Sequence, residues 1–464
     1  MNRFIVKKIA VFVFSLVFVL ASVALLPAAD VLIRDIADDS RLRASKADWL
    51  TESPARVLAK PRSVHTLNGG GRVQVRVEEG RTEFMVVFAR ELMVGRVGER
   101  PVATGQFPQH SQGSWMLTRR RDTGEPIRIG IYLRSDPNIF VQLRPSGNNR
   151  SFLDVVLYNA FVVRSVLLPV SFERLFTMPI AEVINLAGSR FPRRYFEPNP
   201  ADYAAQRQFI ANVRERLPEL SFADDGAINQ YGQFVYIATG LPQQGRPGLN
   251  CSGFAKWLID GILRPRTGER LTIPPLKAPF GDRGSSFTEA FEELRDPFFG
   301  LDWIRNLAST AGTTLLSPAF GTLEEIEVRT DSFSQIISRQ GAASTVISFP
   351  GFHPNSGFGL EGLQPLLYKL AINEPGRFFL AAVNDETRAA TTLENLRGLP
   401  VMRQYFHVAA FVPYFNEYGV FRVAVFESAA ETSLSGFINR YRSRHGPGVN
   451  VALVRVPLET AFDP

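Results

Sequence analysis

Hydrophobic and polar positions change rhythm along the chain. From residue 65 to about 170 the period is two. Arg72-Val73-Gln74-Val75-Arg76-Val77 alternates strictly, and Ile127 to Leu133 alternates in large part. Glu83 to Ala89, Ile139 to Leu143 and Phe152 to Leu168 are further β-branched and aromatic runs, which fit a pleated, half-buried surface. Turn chemistry separates them: Asn68-Gly69-Gly70-Gly71, Asp122-Thr123-Gly124, Ser135-Asp136-Pro137 and Pro145-Ser146-Gly147. The pattern predicts an all-β sandwich or barrel over 65–170. The glycine triplet reads as a hairpin turn, because no lysine or helix follows it as a phosphate loop requires.

After residue 200 the period lengthens. Pro200-Ala201-Asp202 opens an amphipathic helix running to about Leu217, with Tyr203, Phe209, Ile210 and Val213 on one side. Gly248 closes a loop and Asn250 caps a second helix, whose apolar face is Phe254, Ala255, Trp257, Leu258 and Ile259. Phe287 to Leu294, Leu301 to Leu307, Ser334 to Arg339 and Leu360 to Leu370 read as further helices. Strands return at Phe378 to Val383, His407 to Phe415, Val420 to Phe426 and Val451 to Val456. The expectation is an α+β chain: a spacer at 30–64 with a helical piece near Ala44 to Leu50, a β-rich accessory domain at 65–170, a connector at 171–199, and a second domain at 200–464.

The first residues predict export. Arg3, Lys7 and Lys8 precede an apolar run from Ile9 to Leu26, and small residues at Ser22-Val23-Ala24 and Ala28-Ala29 suit cleavage. Residues 1–29 are thus read either as a removed signal peptide or as a membrane anchor through 9–26. Both place the remainder in the periplasm or cell envelope. Apolar residues make up 45% of the 464 and charged residues 21%, a balance that excludes large-scale disorder. The net charge of +7, much of it in Arg119-Arg120-Arg121, Arg193-Arg194 and the run from Arg440 to His445, favours anionic envelope polymers or lipid headgroups as partners. Nucleic acid does not suit this compartment.

Export changes the meaning of Cys251, the only cysteine. A single thiol cannot form an intramolecular bridge; it is a buried apolar group, pairs with another molecule, or does chemistry. Its place in the first turn of a helix stabilises a thiolate and favours the last reading. Of five histidines, His65 and His110 belong to the β region, and His353 and His445 fall in polar segments that read as exposed. His407 opens an apolar strand, where an imidazole is out of place. Asn416-Glu417-Tyr418-Gly419 then signals a hairpin. With the turn centred between Glu417 and Tyr418, the position mirroring His407 is 427 or 428. Glu427 can then hold the imidazole, provided the register leaves both on one face. No metal or other cofactor is implied: there is no His-Glu-x-x-His, and one cysteine cannot build a thiolate site.

Gly248-Leu249-Asn250-Cys251-Ser252-Gly253-Phe254 resembles the Asp-Cys-Ser-Gly-aliphatic signature of NlpC-type cell-wall cysteine peptidases. His407-Val408-Ala409-Ala410-Phe411 resembles that family's histidine strand, and Phe234 to Gly240 its Tyr-Val-Trp-Gly-Gly segment. The resemblance implies a papain-like domain in which a helix bearing the nucleophile packs on an antiparallel sheet. It also implies hydrolysis of amide bonds in peptidoglycan stem peptides. Cys251 would be the nucleophile, His407 the base and Glu427 the orienting residue, with Tyr236 and Ser252 near the oxyanion and substrate. Asn250 stands where the family has aspartate, Glu427 where it more often has His, Asn or Gln. A long insertion, about 265–370, separates Cys251 from His407. Two other classes fit the same residues: an inactive envelope binding or scaffold protein of this fold, and a Cys-dependent acyl or amide transferase acting on lipid or protein.

Overall fold

The computed structural model describes residues 29–68, 70–147, 149–281, 296–329, 351–353, 356–385 and 403–464, with the backbone of two further strands, Phe333–Ile337 and Thr345–Phe349. The apolar N-terminal run and the helix expected at Phe287 to Leu294 lie outside the described residues. Among the described residues no helix is long and apolar enough to cross a membrane.

The chain is a mixed α+β structure built on antiparallel sheets. Alternation in the first part yields a meander: Ser63–Thr66, Arg72–Glu79, Glu83–Arg90, Trp115–Arg120, Pro126–Ile131, Ile139–Gly147, Arg150–Leu157 and Ala160–Leu168 pair in that order. The β-branched and aromatic run from Phe152 to Leu168 is a hairpin of two strands. Tyr158 and Asn159 turn it with positive φ of 49° and 65°, the left-handed geometry that tight hairpins need.

This sheet is not the expected sandwich or barrel. Each strand pairs with its neighbour in an open row, and among the described residues no pairing closes it. Helices supply the second layer, drawn from segments whose sequence suggested only a spacer and a connector. Trp49, Leu50 and Val57 from one, with Phe172, Leu175 and Ile180 from the other, are buried against Val75, Phe88 and Leu117 of the sheet. Arg43 is fully enclosed there; it pairs with Asp39, donates to the Phe176 and Met178 carbonyls and lies over the Trp115 ring.

The second sheet has six strands, in the order Phe358–Gly359, Asn450–Pro457, Arg377–Asp385, Gln404–Phe415, Phe421–Glu427 and Ala430–Ser433. Period-two alternation with apolar residues on both parities buries both faces. Leu380, Val408, Ala410 and Val454 meet the helix Cys251–Thr267, the helix Phe299–Leu315 and the helix Ala204–Arg216. Phe379, Ala409, Phe411 and Leu453 meet the helices Leu363–Asn373 and Leu434–His445, and share one core with the N-terminal sheet.

In its described parts the insertion packs onto the two sheets and the cysteine helix. Its helix Phe299–Leu315 packs beside the cysteine helix, with the Trp303 indole N–H donating to the Ser252 carbonyl at 2.8 Å. Further on, Phe333–Ile337 and Thr345–Phe349 extend the N-terminal sheet from its Ala160–Leu168 edge. The helix expected from Ser334 to Arg339 is therefore corrected to strand: β-branched Ile336 and Ile337 pair with Val346 and Thr345 in a hairpin.

Candidate active site

Asn250 caps the cysteine helix as its sequence suggests, its side chain accepting from the Gly253 N–H at 2.7 Å. The Phe254 N–H returns to the Asn250 carbonyl, so the helix-end amides left over are those of Cys251 and Ser252. Gly253 has no side chain because the helix runs directly against the strand Gly226–Ile228; a Cβ there would stand 1.9 Å from the Gly226 carbonyl oxygen. That contact fixes where the first turn, and with it the thiol, sits on the sheet.

Cys251 is half-buried and meets three groups: the His407 ring, the Val408 backbone N–H and the Ser252 hydroxyl. Val408 lies beyond Ala410–Phe426, the last rung that Gln404–Phe415 forms with the next strand. The cysteine helix packs on one face of the sheet, while His407 shares the opposite face with Ala409 and Phe411.

On its far side His407 Nε2 lies 2.8 Å from Glu427 Oε2, leaving Nδ1 as the nitrogen for the sulfur. Glu427 is 5% exposed and also accepts from the Tyr441 hydroxyl at 3.1 Å and from Arg440. Both donors come from the helix Leu434–His445, docked by Phe437 and Tyr441. The Tyr441 ring lies 5.6 Å from that of His407.

These neighbours set the charges. Burial pushes the Cys251 thiol up, but the His407 hydrogen bond and charge, the Val408 N–H and the Ser252 hydroxyl outweigh it and hold the thiol below its ordinary value. Burial pushes His407 down, and the hydrogen bonds and charges of Cys251 and Glu427 override that, lifting it to about 9. Glu427 is raised by burial and pulled lower overall by His407, Arg440 and Tyr441. The shifts run in the direction of a thiolate–imidazolium pair held by a carboxylate: the thiol is lowered, the imidazole raised and the carboxylate lowered.

Sequence reasoning thus names three residues that the fold brings together, Cys251, His407 and Glu427, with Ser252 beside them. Tyr236 is not in this group. It sits in the two-stranded ladder Gly226–Ile228/Phe234–Tyr236, and its hydroxyl faces the Gln244 N–H at 3.4 Å. Arg440 and Tyr441 were missed because the run Arg440 to His445 reads as a solvated basic patch. A three-to-four spacing of Leu434, Phe437 and Tyr441 is the signal that marks it as a docked helix. His445, expected to be exposed, is tucked against Asp385 at 3.2 Å and stacked on Phe406. Among the described residues no group of three His, Cys, Asp or Glu side chains could hold a metal ion.

A family described as a domain of unknown function (DUF8515) matches residues 33–195, the N-terminal sheet with both of its helical flanks. The match ends before the thiol and its partners. No curated protein and no solved structure matches the chain.

Proposed function

We propose that the chain is an exported thiol hydrolase with a papain-like, NlpC-type second domain, cleaving amide bonds in peptidoglycan stem peptides. The observation that carries this reading is the continuous relay from Cys251 through His407 to Glu427. The cysteine helix lying on an antiparallel sheet supports the papain-like comparison.

In the proposed reaction the Cys251 thiolate attacks the amide carbonyl, and the Cys251 backbone N–H is placed to hold the developing oxyanion. His407, already protonated, gives its proton to the departing amine, leaving a thioester on Cys251. A water then loses a proton to neutral His407 as it attacks the thioester carbonyl. Collapse releases the carboxylate product and restores the thiolate–imidazolium pair. Glu427 keeps the imidazole oriented and stabilises its charge in both halves.

Incubation with purified muropeptides tests this directly. The expected result is a new primary amine on a stem-peptide fragment, lost in Cys251→Ala. Wild-type protein whose thiol alkylates readily but which releases no amine would overturn the hydrolase reading. A stable lipid- or protein-derived acyl thioester on Cys251 would assign the same residues to a transferase.

A further inference from the structure

We propose that an apolar surface formed by residues 31–32 and 97–102 lies in the interface of the membrane that the apolar run 9–26 enters. Given the anchor reading of that run, this surface decides which side of the folded chain faces the bilayer. Single exposed apolar residues are ordinary, whereas contiguous ones mark a contact. Among the described residues nine large apolar side chains are exposed, and four of them, Val31, Leu32, Val97 and Val102, gather at one place. Val31, Leu32 and Val97 line a single cleft with Pro101, and Val102 follows on the return of the same arm. That arm, 93–103, is a short hairpin pairing Met93 with Ala103 and Val94 with Val102, and it turns through Gly95 and Gly98, both at positive φ. Its tip is braced from behind, where the Val97 N–H donates to the Glu417 carbonyl at 3.1 Å.

Two observations commit this surface to a bilayer. The first is the path of the chain. The apolar run ends at Leu26, and by Ala29 the backbone is already fixed to the body. The Ala29 N–H donates to the Met93 carbonyl at 3.1 Å, and Asp30 accepts from the Ser135 N–H at 3.1 Å and from its hydroxyl at 2.6 Å. Gln112 clasps the next residue, accepting from the Val31 N–H at 2.8 Å and donating to the Val31 carbonyl at 2.6 Å. Three residues of fully extended chain span at most about 11 Å, so a run lodged in a bilayer keeps this surface close to the headgroups. The second is charge. Arg34, Arg96 and Arg100 are matched around the patch by Asp35, Glu99 and Glu417, so it presents no net charge to an anionic polymer. Its attraction is the removal of apolar side chains from water, which the interfacial region of a bilayer supplies. A protein partner could bury the same side chains, but nothing would require it to sit beside the end of the apolar run.

The experiment uses the full chain reconstituted in vesicles of phosphatidylethanolamine and phosphatidylglycerol. Cys251→Ser removes the native thiol, and one new cysteine carries an environment-sensitive fluorophore: Val97→Cys, Val102→Cys or, as a control on an exposed residue of the second domain, Leu316→Cys. A nitroxide on the lipid headgroups is expected to quench the labels at 97 and 102 at least about twofold more than the label at 316, in low and high salt alike. Val31→Asp combined with Leu32→Asp is expected to remove most of the extra quenching at 97, with vesicle retention and thermal unfolding unchanged. Equal quenching at all three positions, in protein that stays with the vesicles, overturns the surface and leaves the anchor reading standing. Extra quenching that vanishes in high salt overturns the apolar contact in favour of headgroup charge. Full-length protein that separates from the vesicles overturns the anchor reading and this surface together. None of these outcomes bears on the hydrolase reading, which keeps its own amine-release assay.

Discussion

His407 Nε2 and Glu427 Oε2 are 2.8 Å apart although the two residues are not cross-strand partners. The hairpin between their strands pairs Phe415 with Phe421 and Ala410 with Phe426, which centres its turn on Tyr418. One further step would set Glu427 opposite Ala409. Glu427 is therefore diagonal to His407 and on the same face. A turn centred between Glu417 and Tyr418 would instead put Glu427 opposite Val408, facing away. The strand ends at Glu427 because Ser428 and Ala429 turn back at once, with φ of 48° and 62°. Two non-glycine residues in this left-handed region carry a local conformational cost, and the surrounding ladder holds them there.

The coupled charges predict the pH profile of the thiol. Cys251 is held below its ordinary value, so alkylation by iodoacetamide should remain fast well below the range where a free thiol reacts. His407 is raised to about 9, so the proton that the leaving amine needs is available at neutral pH and is lost as pH rises through that value. kcat/KM should be bell-shaped, with its acid limb set by thiolate formation and its alkaline limb near 9. The pair titrates as a unit, so His407→Ala, which removes the group behind the alkaline limb, should also move thiol alkylation to higher pH. A single alkylation step at the ordinary thiol pKa would contradict the ion pair.

Glu427→Gln separates charge from shape. The amide keeps a hydrogen-bonding group beside His407 but removes the charge that helps raise it, so the alkaline limb should move to lower pH. kcat should fall by about 10²-fold or more, as expected when a catalytic base loses its orienting charge. Tyr441→Phe deletes one of the donors to the same carboxylate. It should cost about 1 kcal/mol in stability and leave the alkaline limb near that of wild type, because the carboxylate beside His407 keeps its charge. Steady-state kinetics across pH, set beside thermal unfolding, distinguishes these effects from simple loss of fold.

Asn250→Asp places aspartate where the resembled signature has it. Both residues cap helices equally well, so unfolding should change by only a few tenths of a kcal/mol, whereas Asn250→Ala should cost about 1 kcal/mol. The added carboxylate lies one residue from the sulfur and disfavours a second negative charge. Alkylation of Asn250→Asp should therefore titrate at higher pH than wild type, and that of Asn250→Ala should move less.

Cys251, His407 and Glu427 were legible because each breaks a local pattern: the only cysteine at a capped helix start, a histidine opening one apolar strand and a glutamate ending the next. Their partners were not legible. Arg440 and Tyr441 sit among Arg442, Arg444 and His445, where charge conceals a short apolar spacing, and only docking on Phe411 shows which side is buried. The strands of the first sheet follow from alternation, but alternation does not say what covers a sheet. The cover comes from 30–64 and 171–199, where Trp49, Val57 and Phe172 are spaced too irregularly to announce a layer. Ser334 to Ile337 reads equally as helix or strand, and pairing with a sheet far away in sequence decides it.

Gly253→Ala examines the contact on which the site's position depends. Alanine ordinarily favours a helix over glycine by about 1 kcal/mol, so the intrinsic effect of the change is stabilising. At this position the new methyl would stand 1.9 Å from the Gly226 carbonyl oxygen and 2.9 Å from the Ala227 Cα, both backbone atoms of a strand that cannot rotate away. The helix start must then lift from the strand, at a cost of about 3 kcal/mol. Lifting it withdraws Cys251 from His407 and Val408, so thiol reactivity at neutral pH should fall with stability. Gly261→Ala, in the same helix, meets the Phe462 ring, a side chain rather than strand backbone. It should lose about 1 kcal/mol or less and keep wild-type alkylation. Equal behaviour of the two variants, in calorimetry and in alkylation rate, would show that the close approach of helix and strand does not set the nucleophile.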